Sequence, residues 1–432
     1  KYDVNVYDHG KADIEPEKWW QALRECCAEV KQHLRHVGVV TMSVTTPGLT
    51  PMAADGRALG PAILFFDGRA HEQAATIRAV VGEDRFLRAT CNLPVTGGSS
   101  LCSMLWIRDH QPDVWAAADK FGHTNTYMAR RMTGRWAIDP STVSITGLYN
   151  TAANDLTWNS DVLDLAGIPV GKLPPLMQSH DAVGPILPEV AGELGLPPDA
   201  TVLCGGNDAV LAAFSGGLTD PGDINMICGT CDITNVCVDR PVCSPNFNVR
   251  CHVLPGRWVT FFVLNTGGKA LEWFHAVFCR EMPEDDFYRD YVPSVIEDFF
   301  RDPGMERREA ELPEYVPFLA GSRYALERMK AAFSGITLQT TRDDLLMSLL
   351  RGNAMYHGQH LRELTAMVPL GKRVMMSGGG AKVRGSQDVR RRWTGDFEFL
   401  YQDQSSLLGA AMLGRVCQSG GRCPATTATV TD

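Results

Sequence analysis

The chain has 432 residues, too many for one ordinary hydrophobic core, so two or more domains are expected. Apolar residues make up 44% and charged residues 21%, and the net charge of −9 argues against a dedicated nucleic-acid or anionic-membrane surface. No apolar run approaches the ~18 residues that a bilayer span needs, so no membrane partner is expected.

The start, Lys1–Trp20, is charged throughout and does not read as a signal peptide. It opens on Lys rather than Met, so a preceding segment is expected. Glu15-Pro16-Glu17 places proline and acids where a helix begins. Val39–Met42 and Ala62–Phe66 read as buried strands, followed by a helix over His71–Val81, a turn at Gly97–Ser100 and a helix over Leu101–His110. Residues 111–200 alternate short helices and turns in an α/β order. Thr201–Cys204 reads as a strand entering Gly205-Gly206-Asn207-Asp208 and an apolar helix, Ala209–Phe214. Breaks at Gly216-Gly217 and Pro221-Gly222 set a boundary between a first domain, 1–217, and a second, 218–432.

The second half restarts with strands at Asp223–Cys228, Ile233–Val238 and Trp258–Leu264. Leucines at helical spacing predict a long helix over Asp343–Met367. A strand at Arg373–Met376 leads to the triple glycine Gly378–Gly380 and a polar helix. A strand at Phe397–Tyr401 and a small-residue helix at Ser405–Val416 close the order. The tail Cys423–Asp432, rich in Thr and Ala, is expected to be mobile.

Thirteen cysteines are scattered along the chain. Cys228–Cys231 is the only C-x-x-C, without a partner pair for zinc, so the cysteines read as small apolar side chains of a reduced, cytoplasmic protein.

Three glycine-bearing turns could carry chemistry. In Gly205-Gly206-Asn207-Asp208 the carboxylate sits between a strand and a helix, where it could accept a proton from an attacking hydroxyl. It would equally suit a helix N-cap, the commoner use of such a residue. Gly229-Thr230-Cys231-Asp232 joins two strands and could offer amides and a hydroxyl to phosphate, or be an ordinary hairpin. Ser377-Gly378-Gly379-Gly380-Ala381-Lys382 could let a nucleotide approach and bare a helix N-terminus, or be a flexible connection; it is neither a Walker A loop nor G-x-G-x-x-G.

Taken in order, these turns and their surroundings resemble the FGGY carbohydrate kinases, over nearly the whole chain. Ile14-Glu15-Pro16-Glu17-Lys18-Trp19-Trp20 is similar to that family's acidic helix start. Pro61–Ala70 is similar to its "PailW-x-D-x-Ra" stretch, with Phe65 where Trp is usual. Met132–Arg135 with Asp139-Pro140-Ser141 resembles "LTG…tD-x-S", and Gly205–Ala209 through Gly216-Gly217 resembles "GG-x-D…GaG". Val316–Arg323, Phe333–Leu338, Gly378–Lys382 and Leu408–Met412 match four further motifs.

The resemblance implies an α/β, actin-like (ribonuclease H-like) two-domain ATPase fold with ATP and sugar in an interdomain cleft. It makes Asp208 the catalytic base and places Asp67, Arg69, Thr46 and Asp208 on the substrate side. Gly229 and Thr230 would face the phosphates, and Gly378, Gly379, Gly380 and Ala381 the adenosine. ATP and Mg²⁺ are the implied cofactors, a sugar or polyol the substrate, and a homodimer the commonest assembly. For Asp67 and Arg69 a loop-locking ion pair and substrate binding are equal readings, and Arg323 is read as structural.

Two departures stand out. The family's opening Asp-x-Gly-Thr strand and turn precede the first residue here, so the first domain is expected to lack its opening strands within this sequence. Val44-Thr45-Thr46-Pro47-Gly48 stands where xylulokinases carry Gln-Met-His-Gly, so D-xylulose is not assigned. These departures motivate a rival, a non-catalytic sugar- or nucleotide-binding relative with a regulatory role; a sugar-independent actin-like ATPase is a third reading.

Overall fold

A computed structural model describes residues 3–7, 10–322 and 329–420. Arg323 and the tail 423–432 lie outside them. The chain divides into two compact units. The first takes the chain up to Ser215, returns for Asp239–Val259, and returns again from Ser405; the second takes Gly216–Val238 and Thr260–Gln404.

The first unit is built on short strands. Five of them run in the spatial order Asn5–Val6, Ala12–Ile14, Ala62–Leu64, Gly48–Met52, Lys120–Gly122, with every pairing antiparallel. The strand expected over Ala62–Phe66 ends at Leu64, because the Asp67 N–H turns back onto the Leu64 carbonyl and leaves Phe65 and Phe66 exposed. The helix Glu17–Glu29 buries Trp19 and Trp20 against a core shared with Tyr127, Met132 and Val202.

The strand expected over Val39–Met42 is two pieces, Val39–Val40 and Ser43–Val44. Its partner is interrupted in the same place. Val39–Val40 runs parallel to Thr201–Val202, and Ser43–Val44 runs parallel to Gly206–Asn207. The interruption is where Gly205, at φ +75°, lies so close to Met42 that a Cβ would stand 2.5 Å from the Met42 carbonyl. The Gly206 N–H then donates to that carbonyl at 2.9 Å. Only glycine tolerates both the positive φ and the approach.

This break delivers the helix Asp208–Ser215. That helix packs on Ser406–Gln418, and at Gly409 a Cβ would lie 2.0 Å from the Leu211 carbonyl. Gly409 therefore allows the two backbones to touch, which explains the small-residue character of Leu408–Met412.

The second unit holds a mixed sheet in the order Trp258–Leu264, Asp232–Val238, Ile224–Cys228, Arg373–Ser377, Glu398–Tyr401. Ile224–Cys228 pairs antiparallel with Asp232–Val238 and parallel with Arg373–Ser377. The long helix spans Arg342–Thr365, opened by a capping box between Thr341 and Asp344. After Gly378 the chain makes a single 3₁₀ turn over Gly379–Lys382, and the α-helix starts only at Ser386. The triple glycine thus does not bare an α-helix N-terminus, as its position had suggested, because Gly385 at φ +84° reverses the chain first. No helix among the described residues is long and apolar enough to cross a membrane.

Candidate active site

In the first unit, Asp208 is half-buried and held by neutral donors. Thr45 Oγ1 donates to Oδ2 at 2.9 Å; the Ala209 N–H and Asn207 Nδ2 donate to Oδ1 at 2.7 and 3.1 Å. The N-cap role belongs to its neighbour: Asn207 Oδ1 accepts from the Val210 N–H at 3.1 Å. Asp208 is thereby relieved of the capping duty that its position suggested. With three of about four lone-pair sites used, its carboxylate keeps one, on Oδ2, for a ligand.

A buried network holds this turn from behind. Asp139 is fully buried and accepts from the Ser141 N–H, the Ser141 and Ser179 hydroxyls and Asn125 Nδ2. Burial raises its pKa against the pull of those hydrogen bonds. Ser141 Oγ in turn accepts from the Asn207 N–H at 2.9 Å. Gly206 makes room, since a Cβ there would sit 3.0 Å from that hydroxyl. The Asp139-Pro140-Ser141 motif therefore positions the residue next to Asp208. Thr46, buried, joins the same cluster, accepting from Asn207 Nδ2 at 2.9 Å.

Asp67 and Arg69 are engaged with each other. Arg69 Nε donates to both Asp67 oxygens, at 3.0 and 2.9 Å, and Nη2 pairs with Asp13 at 2.8 Å. Asp67 also accepts the Ala12 and Arg69 backbone N–H groups. The guanidinium lies over the Trp106 ring at 5.1 Å. The structure thus brings Thr46 and Asp208 together and ties Asp67 and Arg69 into an ion-pair lock with Asp13.

In the second unit, the Gly229–Asp232 hairpin and the Gly378–Gly380 turn are neighbours. A Cβ on Gly378, at φ +86°, would lie 2.5 Å from the Cys228 carbonyl. The hairpin is also braced by a feature that the sequence reading missed, Gly267-Gly268, which opens the helix Gly268–Phe278. The Gly268 and Lys269 N–H groups donate to the Gly229 and Thr230 carbonyls at 2.7 and 3.2 Å. A Cβ on Gly267 would stand 2.1 Å from Asp232 Oδ1. Paired glycines after the strand Trp258–Leu264 were the available signal. The Gly229 N–H is used inside the turn, donating to the Cys231 carbonyl.

These elements open onto a cleft lined by Gly267, Gly268, Gly380, Asp232 and Arg390 and walled by Leu271, Ile296, Leu350 and Val389. Two buried polar atoms on its lining, Asn353 Oδ1 and His357 Nε2, have no hydrogen-bond partner among the described residues. His357 Nδ1 shares a proton with Thr234 Oγ1 at 2.8 Å. Burial first, then the charge of Arg390, lowers the His357 pKa to about 3. Asp232 is pushed up to about 6 by burial, against the pull of Arg390 3.7 Å away. Apolar walls with a few convergent polar atoms are the makeup of a small-molecule site.

Residues 1–215 match the N-terminal domain of the FGGY family of carbohydrate kinases. The chain is 27% identical over 379 residues to the xylulose kinase of Escherichia coli K12, covering 86% of this chain and 74% of that protein. It is 23% identical over 425 residues to the gluconokinase of Bacillus subtilis 168, covering 96% and 81%. The crystal structure of xylulose kinase from Rhodospirillum rubrum superposes with a TM-score of 0.87 at 23% identity, covering 97% of this chain and 84% of that one. Plasmodium falciparum glycerol kinase with ADP gives 0.82 at 16% identity, covering 98% and 87%. The fold is the mixed α/β, actin-like one of these kinases.

Proposed function

Because this chain belongs to the FGGY family of carbohydrate kinases, we propose that it transfers the γ-phosphate of ATP to a hydroxyl of a sugar or sugar derivative, with Asp208 as general base. The observation that carries the proposal is the division of labour at the turn: Asn207 caps the helix, and Asp208 is left half-exposed on a rigid support. As the acceptor oxygen bonds to phosphorus and the bond to the ADP oxygen breaks, the hydroxyl proton passes to a carboxylate oxygen of Asp208. Thr45 and Asn207 hold that carboxylate in one orientation, which lowers the entropy cost of alignment.

On the nucleotide side, the proposal assigns the base to the cleft of the second unit, beside Gly380 and the unpartnered atoms of Asn353 and His357. Gly229 and Thr230 are assigned to the phosphates, and Gly378, Gly379 and Ala381 to the ribose and base. Mg²⁺ bound to the triphosphate would offset its charge; it needs few protein carboxylates. Thr46 is assigned to the acceptor side, while Asp67 and Arg69 hold the loop on which they sit. Thiols at all described cysteines suit a reducing cytoplasm, and a homodimer is the proposed assembly.

The test is ADP release by the full-length protein against ketoses, polyols and sugar acids. Stimulation by one class, lost in Asp208→Asn, is the expected result. ATP turnover that no acceptor stimulates would overturn the proposal.

A further inference from the structure

Cys91 and Cys243 meet in the first unit, and neither belongs to any motif above. Both carry free thiols, and their sulfurs lie 2.6 Å apart although 152 positions separate them in sequence. Non-bonded heavy atoms ordinarily rest about 3.5–4.0 Å apart. A disulfide bond is about 2.05 Å long, so little movement stands between this pair and a bond.

The two cysteines are placed differently. Cys91 is fully buried and closes the helix Glu83–Thr90, its N–H donating to the Leu87 carbonyl at 2.8 Å. Its φ of +54° is left-handed, where glycine is the usual helix-ending residue. Cys243 is half-buried on an irregular stretch between the strands Asp232–Val238 and Asn248–Cys251, with exposed Pro245 and Asn246 just beyond it. The hydrogen bond with Cys91 lowers the Cys243 pKa, against burial. The same bond, then burial, raises that of Cys91. Elsewhere burial pushes thiols up, at Cys102 to about 11 and at Cys228 to about 12. A reachable sulfur that ionises readily, beside a buried one that keeps its proton, matches an attacking and a resolving cysteine.

We infer that Cys91 and Cys243 form a reversible redox site, closed to a disulfide by hydrogen peroxide, that staples the segment Asp239–Val259 to the rest of the first unit. The Cys243 thiolate attacks one peroxide oxygen, the O–O bond breaks and hydroxide leaves, so that Cys243 becomes a sulfenic acid. The Cys91 sulfur then attacks the Cys243 sulfur. The S–S bond forms, the S–O bond breaks, and the departing hydroxide takes the Cys91 proton as water. Two electrons pass from the two thiols to the peroxide.

The bond would reinforce a non-covalent clasp one residue on. Buried Asn92 donates through Nδ2 to the Val249 carbonyl at 2.8 Å, and its Oδ1 accepts from the Val249 N–H at 3.1 Å and Asn248 Nδ2 at 3.0 Å. The strand so held carries Arg250, whose Nη1 donates to the Thr46 hydroxyl at 3.1 Å; that hydroxyl also accepts from Asn207 Nδ2. Oxidation therefore fixes a strand that buttresses the turn bearing Asp208. The inference does not depend on the kinase reading.

The test treats the full-length protein with a small excess of hydrogen peroxide and maps its peptides without reduction. Peptides joined through Cys91 and Cys243, a mass lower by two hydrogens, and a melting temperature higher by about 5–15 °C are expected, all reversed by dithiothreitol. Cys91→Ser should stop at a Cys243 sulfenic acid that dimedone labels, and Cys243→Ser should give neither that label nor the joined peptides. Should Cys91→Ser fail to fold, Cys243→Ser, at the half-buried position, carries the comparison. Both thiols still alkylated by iodoacetamide after peroxide would overturn the inference. So would a bond from Cys91 to buried Cys251, whose charge also bears on Cys91, or a Cys91–Cys243 bond that leaves the melting temperature unmoved.

Discussion

Two aspartates each end a glycine-bearing turn, one per unit, and the structure treats them in opposite ways. Asp208 is half-exposed, supported by a hydroxyl, an amide and a backbone N–H. Asp232 is 7% exposed, wedged against Gly267, with Arg390 3.7 Å off. Neutral donors orient a carboxylate without taking its charge away from a ligand, whereas burial raises the cost of holding that charge at all. The same local pattern thus yields a half-exposed carboxylate held by neutral donors in one unit and a buried carboxyl on the lining of a cleft in the other.

The comparison can be broken most directly at Asp208. Asp208→Asn should lower kcat by about 10²–10⁴, the usual worth of a general base, and move the melting temperature little because Asn207 still caps the helix. A variant with near-full activity would remove Asp208 from the chemistry.

Arg69→Met tests the lock of the first unit. It leaves Asp67 and Asp13 buried without their cation and should cost about 3–5 kcal/mol in denaturant unfolding. An unchanged acceptor KM in the folded protein would separate this role from substrate binding.

Acid titration sharpens the contrast by sign. For Asp232 the folded pKa, about 6, lies above the unfolded value near 3.8. Its contribution therefore falls as pH rises from about 4 to 6, by about 3 kcal/mol in all. His123 and His357 act in the other direction. Their folded values, about 3, lie below the unfolded 6.5. Each removes about 1.4 kcal/mol of stability per pH unit as pH falls from 6.5 toward 3. Asp232→Asn should abolish the first slope and leave the second, as urea melts at pH 4–7 would register.

The smallest expected effect is at the cap. Asn207→Ala should destabilise the first unit by about 1 kcal/mol and lower kcat, because it also frees the Asp208 carboxylate. A kcat change without the stability change would mean that the capping bond is not made in solution.

Much of the element order was legible because periodicity is local. The helix His71–Val81 and the strand Trp258–Leu264 stand where pattern alone put them. The candidate site was legible only in part. Asp208 and the three glycine turns could be named from their flanking strands and helices, and Thr46 from the resemblance to the carbohydrate kinases. Asn92, Arg250 and Asn353 could not, since an arginine on a short strand or an asparagine in a loop or a helix carries no mark of what it will face.

By itself the sequence determined the class of fold and the residues with chemical capacity, because hydrophobic spacing and glycine placement act over a few neighbours. Tertiary structure decided which capacity is used. Burial and hydrogen-bond partners come from segments as far apart as Asn92 and Val249, or Ser141 and Asn207. Those partners, not the local motif, left Asp208 half-exposed and buried Asp232.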